Sequence, residues 1–380
     1  MLRHLPLKLF AQSFALLLAL SPALSSGLCA QRTLADVQRE FGAEIQKLGP
    51  SATREQRDQL RRDWIQKLRQ FLEQDAKGDD RWNGRLMLAD FQLSLGDGKG
   101  AGGTLQTIDA AEAPALLLIT AATMAQHVGM TEQRDAWIKA ALAKDAPLPD
   151  RMAMARLLLA VLHEADRSEE LCAKALAAAG DDEEKALVRW HRADALRDVE
   201  DPARENAPFE ELEKLATELP NTYWGGVAKD RLRATRLRPG DDAIEFRAKT
   251  RAGEDVVSKD LLGKTVVLAF WSYGDHDTPR LVELLGQLRK RCGDKLAVIG
   301  ICIDRDDGVI GEAVKKLAID FPVVGDGKGI ETDLALRWFV EGPAVHVIDA
   351  RGKVAALGLQ AGTNVGRTEL TETVERCCKD

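Results

Sequence analysis

The chain has 380 residues, of which 45% are hydrophobic and 30% charged, with a formal net charge of −7. That length exceeds one ordinary domain and points to two domains plus extra segments, and the composition is that of a globular protein with a sizeable core. No basic run or clustered Lys/Arg face is present, so no nucleic-acid partner is expected; acidity at this level keeps a protein soluble.

At the N-terminus, Arg3, His4 and Lys8 precede an apolar run from Leu9 to Leu24, interrupted by Gln12, Ser13, Ser21 and Pro22. Small residues follow: Ser25, Ser26 and Gly27. A basic start, a short apolar core and a small-residue exit spell a secretory signal peptide over residues 1–27. The run is shorter than the roughly 20 apolar residues of a spanning helix, and it closes on Pro22. No membrane span is expected after cleavage. Cleavage after Ser25 fits best, with Gly27 and Ala30 as alternatives. An uncleaved anchor is the competing reading, and lipidation of Cys29 is disfavoured because Leu28 stands where a small residue is needed. The mature protein is expected to be periplasmic or otherwise extracytoplasmic.

From Thr33 to about Leu237 the periodicity is helical, and a helical domain is expected over residues 33–237. Arg54–Gln74 carries Leu60, Trp64, Leu68 and Leu72 at helical spacing, with polar residues opposite. Paired stretches follow. Arg81–Leu95 ends at Gly96, Pro114–Val128 at Gly129, and Pro149–Ala165 near Asp166. Their partners are Ala101–Ala110, Thr131–Ala143 and Ser168–Ala178. Gly96 and Gly129 are 33 residues apart, close to the tetratricopeptide period of about 34, and alanines at 121, 122, 125, 140, 141, 175 and 177 suit close helix crossings. The repeat's internal Trp, Gly and Tyr signature is missing, so the array reads as tetratricopeptide-like, with an irregular helical bundle as the alternative. A last pair, Glu183–Asp198 and Phe209–Leu219, leads to a capping helix over Tyr223–Leu237. Trp64, Trp82, Trp137 and Trp190 occupy apolar positions and read as core.

At Arg238–Asp242 a proline, a glycine and two aspartates end the helical pattern, and a second domain is expected over 239–380. Thr265–Trp271 and Leu296–Ile303 read as buried strands. Leu281–Cys292, Ile310–Leu317, Leu334–Phe339 and Thr368–Cys378 read as helices, and Phe321–Val324 as a short strand. Ala344–Asp349 and Val354–Leu359 form a hairpin around Ala350–Lys353. Two parallel units followed by a hairpin make an α/β domain with a mixed sheet. The expected fold class is therefore multidomain, an all-α helical-repeat part followed by an α/β part.

The segment RPGDDAIEFRAKTRAGEDVVSKDLLGKTVVLAFWS resembles the opening of the extracytoplasmic thioredoxin-like proteins, the thiol-disulfide oxidoreductases of cytochrome maturation and their relatives in the alkyl hydroperoxide reductase/thiol-specific antioxidant superfamily. Gly240, Ala243 and Phe246 match the group's G-x-x-A-P-x-F, with Ile244 in place of its proline. Later, FVEGPAVHVIDARGKV resembles the family's cis-proline loop, strand and turn, with Pro343 as the implied cis-proline and Asp349 and Gly352 as the turn. The resemblance covers about 140 residues and implies a thioredoxin-like fold, a bacterial source and a docking face beside the proline.

In that family Phe-Trp and three further residues precede C-x-x-C at the start of a helix, where the N-terminal amides and dipole lower the thiol pKa. Here the stretch reads Phe270-Trp271-Ser272-Tyr273-Gly274-Asp275-His276-Asp277-Thr278-Pro279, so Asp275 and Thr278 stand in the two cysteine positions. Thr278 before Pro279 reads as a helix N-cap. Six cysteines, Cys29, Cys172, Cys292, Cys302, Cys377 and Cys378, are present, none in a C-x-x-C spacing, so no local dithiol or zinc ribbon is written. Cys302, in a strand, reads as a small buried hydrophobe. Cys377 and Cys378, among charged residues, read as the most exposed thiols, and either could pair with Cys292 if geometry allows.

Asp275, His276 and Asp277, with His346 approaching from the neighbouring strand, form a second constellation of metal-ligand type. The alternative is a pair of anions suited to a helix N-terminus, and no metal or cofactor is expected. A peroxidatic cysteine is missing between Cys172 and Cys292, no Gly-x-Ser-x-Gly is present, and the Gly-rich stretches GDGKGAGG and GDGKG lack the Lys-Ser/Thr ending of a phosphate loop. The expectation is a non-catalytic module that binds a protein or peptide partner, with Trp271, Tyr273, His276 and Pro343 as its contact residues. The alternatives are an oxidoreductase or antioxidant working through a displaced cysteine, Cys302, Cys377 or Cys378, and a metal or small-ligand binder at the Asp275–Thr278 loop.

Overall fold

The computed structural model describes residues 32–49, 52–199 and 201–379; the signal peptide expected over 1–27 lies outside them. Backbone contacts divide the chain into two compact units, Met1–Ala141 and Leu142–Asp380.

In the first unit, helices α1 (Leu34–Leu48), α2 (Arg54–Gln74), α3 (Asp79–Ser94), α4 (Gly98–Leu105) and α5 (Ala115–His127) lead into α6 (Thr131–Leu142). Helix α2 begins where Thr53 and Gln56 close a capping box, each side chain bonding the other's backbone N–H. Its Trp64, Leu68 and Phe71 fall on one face and share a core with Val37 of α1 and Phe91 of α3. The Trp64 indole donates to Glu44 Oε2 at 2.6 Å, so burying its ring strands no polar group. Helices α3 and α5 end at Gly96 and Gly129, whose φ values of 80° and 74° are left-handed. Glycine takes that C-terminal turn without steric cost, which is why the sequence breaks were visible there.

The second unit opens with α7 (Leu148–Ala160), α8 (Ala165–Ala178), α9 (Asp182–Arg197), α10 (Ala207–Glu218) and α11 (Tyr223–Ala234). The helix expected over Pro149–Ala165 stops five residues early: His163 adopts φ 58°, and α8 starts at Ala165 instead of Ser168. Ser168 is buried and its hydroxyl donates to Ala155 O at 2.8 Å, joining α8 to α7. Trp190 of α9 packs with Leu212 and Leu215 of α10 and Val227 and Leu232 of α11. All four tryptophans read as core are buried.

After α11 the chain becomes α/β. A small hairpin, β1 (Arg247–Lys249) and β2 (Asp255–Val257), precedes a five-stranded sheet of order β5-β4-β3-β6-β7. Strands β3 (Thr265–Trp271), β4 (Leu296–Cys302) and β5 (Val323–Val324) are parallel; β6 (Ala344–Ile348) and β7 (Val354–Leu359) extend the sheet antiparallel. Helices α12 (Thr278–Cys292), α13 (Asp307–Lys316), α14 (Asp333–Arg337) and α15 (Asn364–Cys377) surround it. Alternation along β3 assigns the two faces. Val267, Ala269 and Trp271 join Leu285 and Leu288 of α12, Ile310 of α13 and Leu370 and Val374 of α15. Val266, Leu268 and Phe270 join Ile244, Phe246, Leu334 and Trp338. This doubly covered sheet explains the near-continuous apolar β3.

Within the second unit, α11 meets α14. Arg337 bonds Asp230 at 2.7 Å and both carboxylate oxygens of Asp333 at 3.0 Å, while the Tyr223 hydroxyl donates to Asp333 at 2.8 Å. Arg231, buried, lies over the rings of Trp190 at 5.0 Å and Phe339 at 4.6 Å. Ala234 and Leu237 pack against the core on the Trp338 side of the sheet. Among the described residues no helix is long and apolar enough to cross a membrane.

Candidate functional site

Strands β3 and β4 run parallel, so their carboxyl ends lie together, the place where open α/β sheets bind ligands. The loop Ser272–Asp277 leaves β3 there and enters α12. Its anchor is Asp304, just beyond β4. One carboxylate oxygen accepts from the Ser272 hydroxyl at 2.5 Å, and the other from the Tyr273 backbone N–H at 2.7 Å and the Cys302 thiol at 3.1 Å. Ile303 N–H donates to Trp271 O at 2.9 Å, continuing the ladder past the strand ends.

Thr278 corrects one expectation. It is not the N-cap but the first helical residue; Asp277 holds the cap position without a side-chain cap bond. The Thr278 hydroxyl, buried, instead donates backward to Ser272 O at 2.7 Å, and its backbone N–H donates to Asp275 O at 3.2 Å. The carbonyls of the tight loop compete for these donors, and burial favours the inward bond. At Thr278 a hydroxyl closes the loop on itself.

Asp275, His276 and Asp277 do cluster, with potential donor atoms within 4.8 Å of one another. Their polar atoms already face each other and Arg280. His276 approaches Asp275 at 3.4 Å and Asp277 at 3.2 Å, and Arg280 approaches Asp277 at 3.4 Å. The His276 side chain is 86% exposed. Gly362, in the loop after β7, brings its backbone against Asp277; a Cβ there would lie 2.3 Å from the carboxylate.

His346 does not join this group. It pairs in register with Leu268, so it faces the Trp338 layer, whereas the loop follows Trp271. Its ring stacks on Trp338 at 5.3 Å and meets the edge of Phe270 at 5.5 Å, and Nδ1 accepts from Gly358 N–H at 2.9 Å. Burial holds its pKa down at about 4. A one-residue difference in strand phase sends a side chain to the other face.

Of the expected contact residues, Trp271 is 1% exposed and belongs to the core under α12, so it offers no binding surface. Its indole fits against Gly300 of β4, where a Cβ would approach Nε1 to 2.9 Å. Tyr273 is half-buried, with Lys316 Nζ 5.8 Å from its ring, while His276 and Pro343 are exposed. Pro343 precedes Ala344, which pairs with Phe270, so it lies at the loop's end of the sheet. The cis bond implied for Pro343 is not found: every peptide among the described residues is trans, the lower-energy form even before proline.

The cysteines also differ from expectation. Cys302 is fully buried, as its strand setting implied, and burial pushes its thiol up to about 12. Cys377 and Cys378 are both buried, each 8% exposed, and the half-buried Cys292 is the more accessible thiol. The charged neighbours Glu372 and Arg376 are exposed on α15, while both cysteines are buried at its end and Cys378 joins the core. Sequence reasoning missed Asp304 as the loop's anchor; its signal was an acidic residue just past a buried strand that runs parallel to β3.

Two parallel β-α-β units, with a helix starting at the end of the central strand and a hairpin completing the sheet, define a thioredoxin-like fold. Residues 239–357 match the model of the AhpC/TSA family, so the C-terminal part of the chain carries a thioredoxin-like domain similar to that family. The chain is 26% identical over 121 residues to the thioredoxin-like protein YneN of Bacillus subtilis (strain 168), covering 31% of this chain and 69% of that one. Among solved structures, a thiol:disulfide interchange protein of Chlorobium tepidum TLS is 20% identical with a TM-score of 0.32, covering 37% of this chain and 98% of its own. The thioredoxin domain of a thiol-disulfide oxidoreductase of Bacteroides vulgatus is 21% identical with a TM-score of 0.32, covering 36% and 99%.

Proposed function

We propose that this is an exported, non-catalytic interaction protein, in which the thioredoxin-like domain has kept its scaffold and given up the family's redox chemistry. One observation carries the reading: Thr278, at the second cysteine position, is buried and its hydroxyl is committed to Ser272 O. Thiol exchange needs a thiolate that can reach an incoming sulfur. The nearby Cys302 supplies neither property, because it is fully buried, donates to Asp304 and has its thiol pushed up to about 12.

What remains at the carboxyl ends of the strands is a surface suited to an extended segment of a partner protein, with Tyr273, His276 and Pro343 as its contact residues. The tetratricopeptide-like helices are a second surface for protein partners. Export rests on the basic and apolar N-terminal segment and places the protein in the periplasm or another extracytoplasmic space.

The test is dithiothreitol-driven insulin reduction and peroxide consumption by the purified chain. Rates equal to buffer are expected for both. Turnover that disappears in Cys302→Ser or Cys377→Ser would overturn the reading in favour of an oxidoreductase using a displaced cysteine.

A further inference from the structure

Cys292 ends α12 and Cys378 caps α15. The two helices lie on the same face of the sheet, where Leu285 and Leu288 of one share a core with Leu370 and Val374 of the other. Arg291 and Glu375 pair across them at 2.5 Å, which aligns the last turns. Beside that pair the Cys378 thiol is near enough to Cys292 to raise its pKa. Both sulfurs border the same apolar cluster.

We propose that Cys292 and Cys378 are a disulfide-forming pair that ties the C-terminal helix to α12, at the opposite end of α12 from Asp275 and Thr278. A low-molecular-weight disulfide, RSSR, is the oxidant. The Cys292 thiolate, the more accessible, attacks one sulfur of RSSR and expels RSH after protonation, leaving a mixed disulfide. The Cys378 sulfur then attacks Cys292 and expels the second RSH. Two protein thiols lose two electrons and two protons, and the oxidant is reduced to two thiols.

The surroundings select a staple over a turnover centre. Burial, reinforced by the neighbouring Cys378, pushes the Cys292 thiol up to about 12, so exchange at neutral pH is slow and quickens toward alkaline pH. A bridge between positions 292 and 378 closes a long loop, the case in which a cross-link restricts the unfolded chain most. The inference does not depend on the docking role proposed above.

The experiment oxidises the full chain with glutathione disulfide at mildly alkaline pH, alkylates remaining thiols and maps peptides without reduction. The expected product is a Cys292–Cys378 cross-link two hydrogens lighter than the thiols, with no glutathione retained. Its melting temperature should rise by on the order of 5–10 °C and return on reduction. Cys292→Ser and Cys378→Ser should each abolish that rise, and Cys377→Ser should keep it. A glutathione adduct retained on Cys292, a Cys292–Cys377 link, or no cross-link in protein that still melts cooperatively would each overturn the proposal. Should Cys378→Ser fail to fold, the half-buried Cys292→Ser decides, its reduced-state melting serving as the control.

Discussion

Thr278 shows at the scale of one side chain how the loop between β3 and α12 is held. Thr278→Val keeps the shape but removes one of the two donors to Ser272 O, leaving the Asp275 backbone N–H at 3.1 Å, and should cost about 1 kcal/mol in denaturant unfolding. Placing cysteines in this loop asks the converse question. Asp275→Cys with Thr278→Cys would put a dithiol at the N-terminus of α12, where amides and dipole depress a thiol pKa, and insulin reduction should rise at least about tenfold above the parent. A folded double variant with no gain would mean that the Asp304 anchor holds the loop too closed for exchange. His346 gives a pH signature. Its folded pKa of about 4 lies below the ordinary 6.5, so between those values the unfolded chain binds more protons than the folded one. Stability from this residue is therefore complete above about pH 6.5 and falls as the pH drops to 4, by on the order of 2–3 kcal/mol. His346→Leu should remove that slope in pH-dependent melting of the second unit. Comparing the variant with its parent is essential, because half-buried Asp90, pushed up to about 6 in the first unit, has the opposite dependence.

At the level of elements, the contact between α11 and α14 is the one most exposed to a single change. Arg337 binds Asp230 on one helix and Asp333 on the other, in a half-buried site that also takes the Tyr223 hydroxyl. Its planar fork makes these bonds together, which lysine cannot copy. Arg337→Ala should cost about 1–3 kcal/mol by leaving carboxylates with lost partners. Amide exchange in Tyr223–Ala234 should quicken, and Arg337→Lys should rescue little. Exchange unchanged in α11 would mean that the apolar contacts of Val227 and Leu232 hold the helix without the arginine. The elements themselves were largely readable: β3 and β7 match their expected spans, and most helices differ by a few residues at their ends. The hairpin β1–β2 was not anticipated, since strands of three residues carry too little alternation to register.

For the whole molecule, the change in composition at Arg238 and the division of contacts at Ala141 are different boundaries. Helix α11 and the residues after it cover part of the sheet's apolar face, through Ala234 and Leu237. A fragment covering 142–380 should therefore melt cooperatively, whereas one starting at 239 should lose several degrees or aggregate, having exposed that face and lost Asp230. Equal melting of the two fragments would show that α7–α11 contribute no support to the sheet.

The thioredoxin-like domain was legible from its opening segment and the Phe270-Trp271 strand, because buried parallel strands and glycine turns leave local patterns. That Asp275 and Thr278 stand at the positions of the family's cysteine pair is likewise a reading from covalent order, taken from the spacing after Phe270-Trp271. Direction and burial were beyond it. Whether Trp271 faces solvent, whether His346 reaches the loop, and whether Cys377 and Cys378 are exposed depend on strand phase and on which helix face meets the sheet. Asp304 gathering Ser272, Tyr273 and Cys302, and Cys292 meeting Cys378, join residues far apart along the chain. Such contacts arise only when tertiary packing brings their elements together, and no local pattern records them.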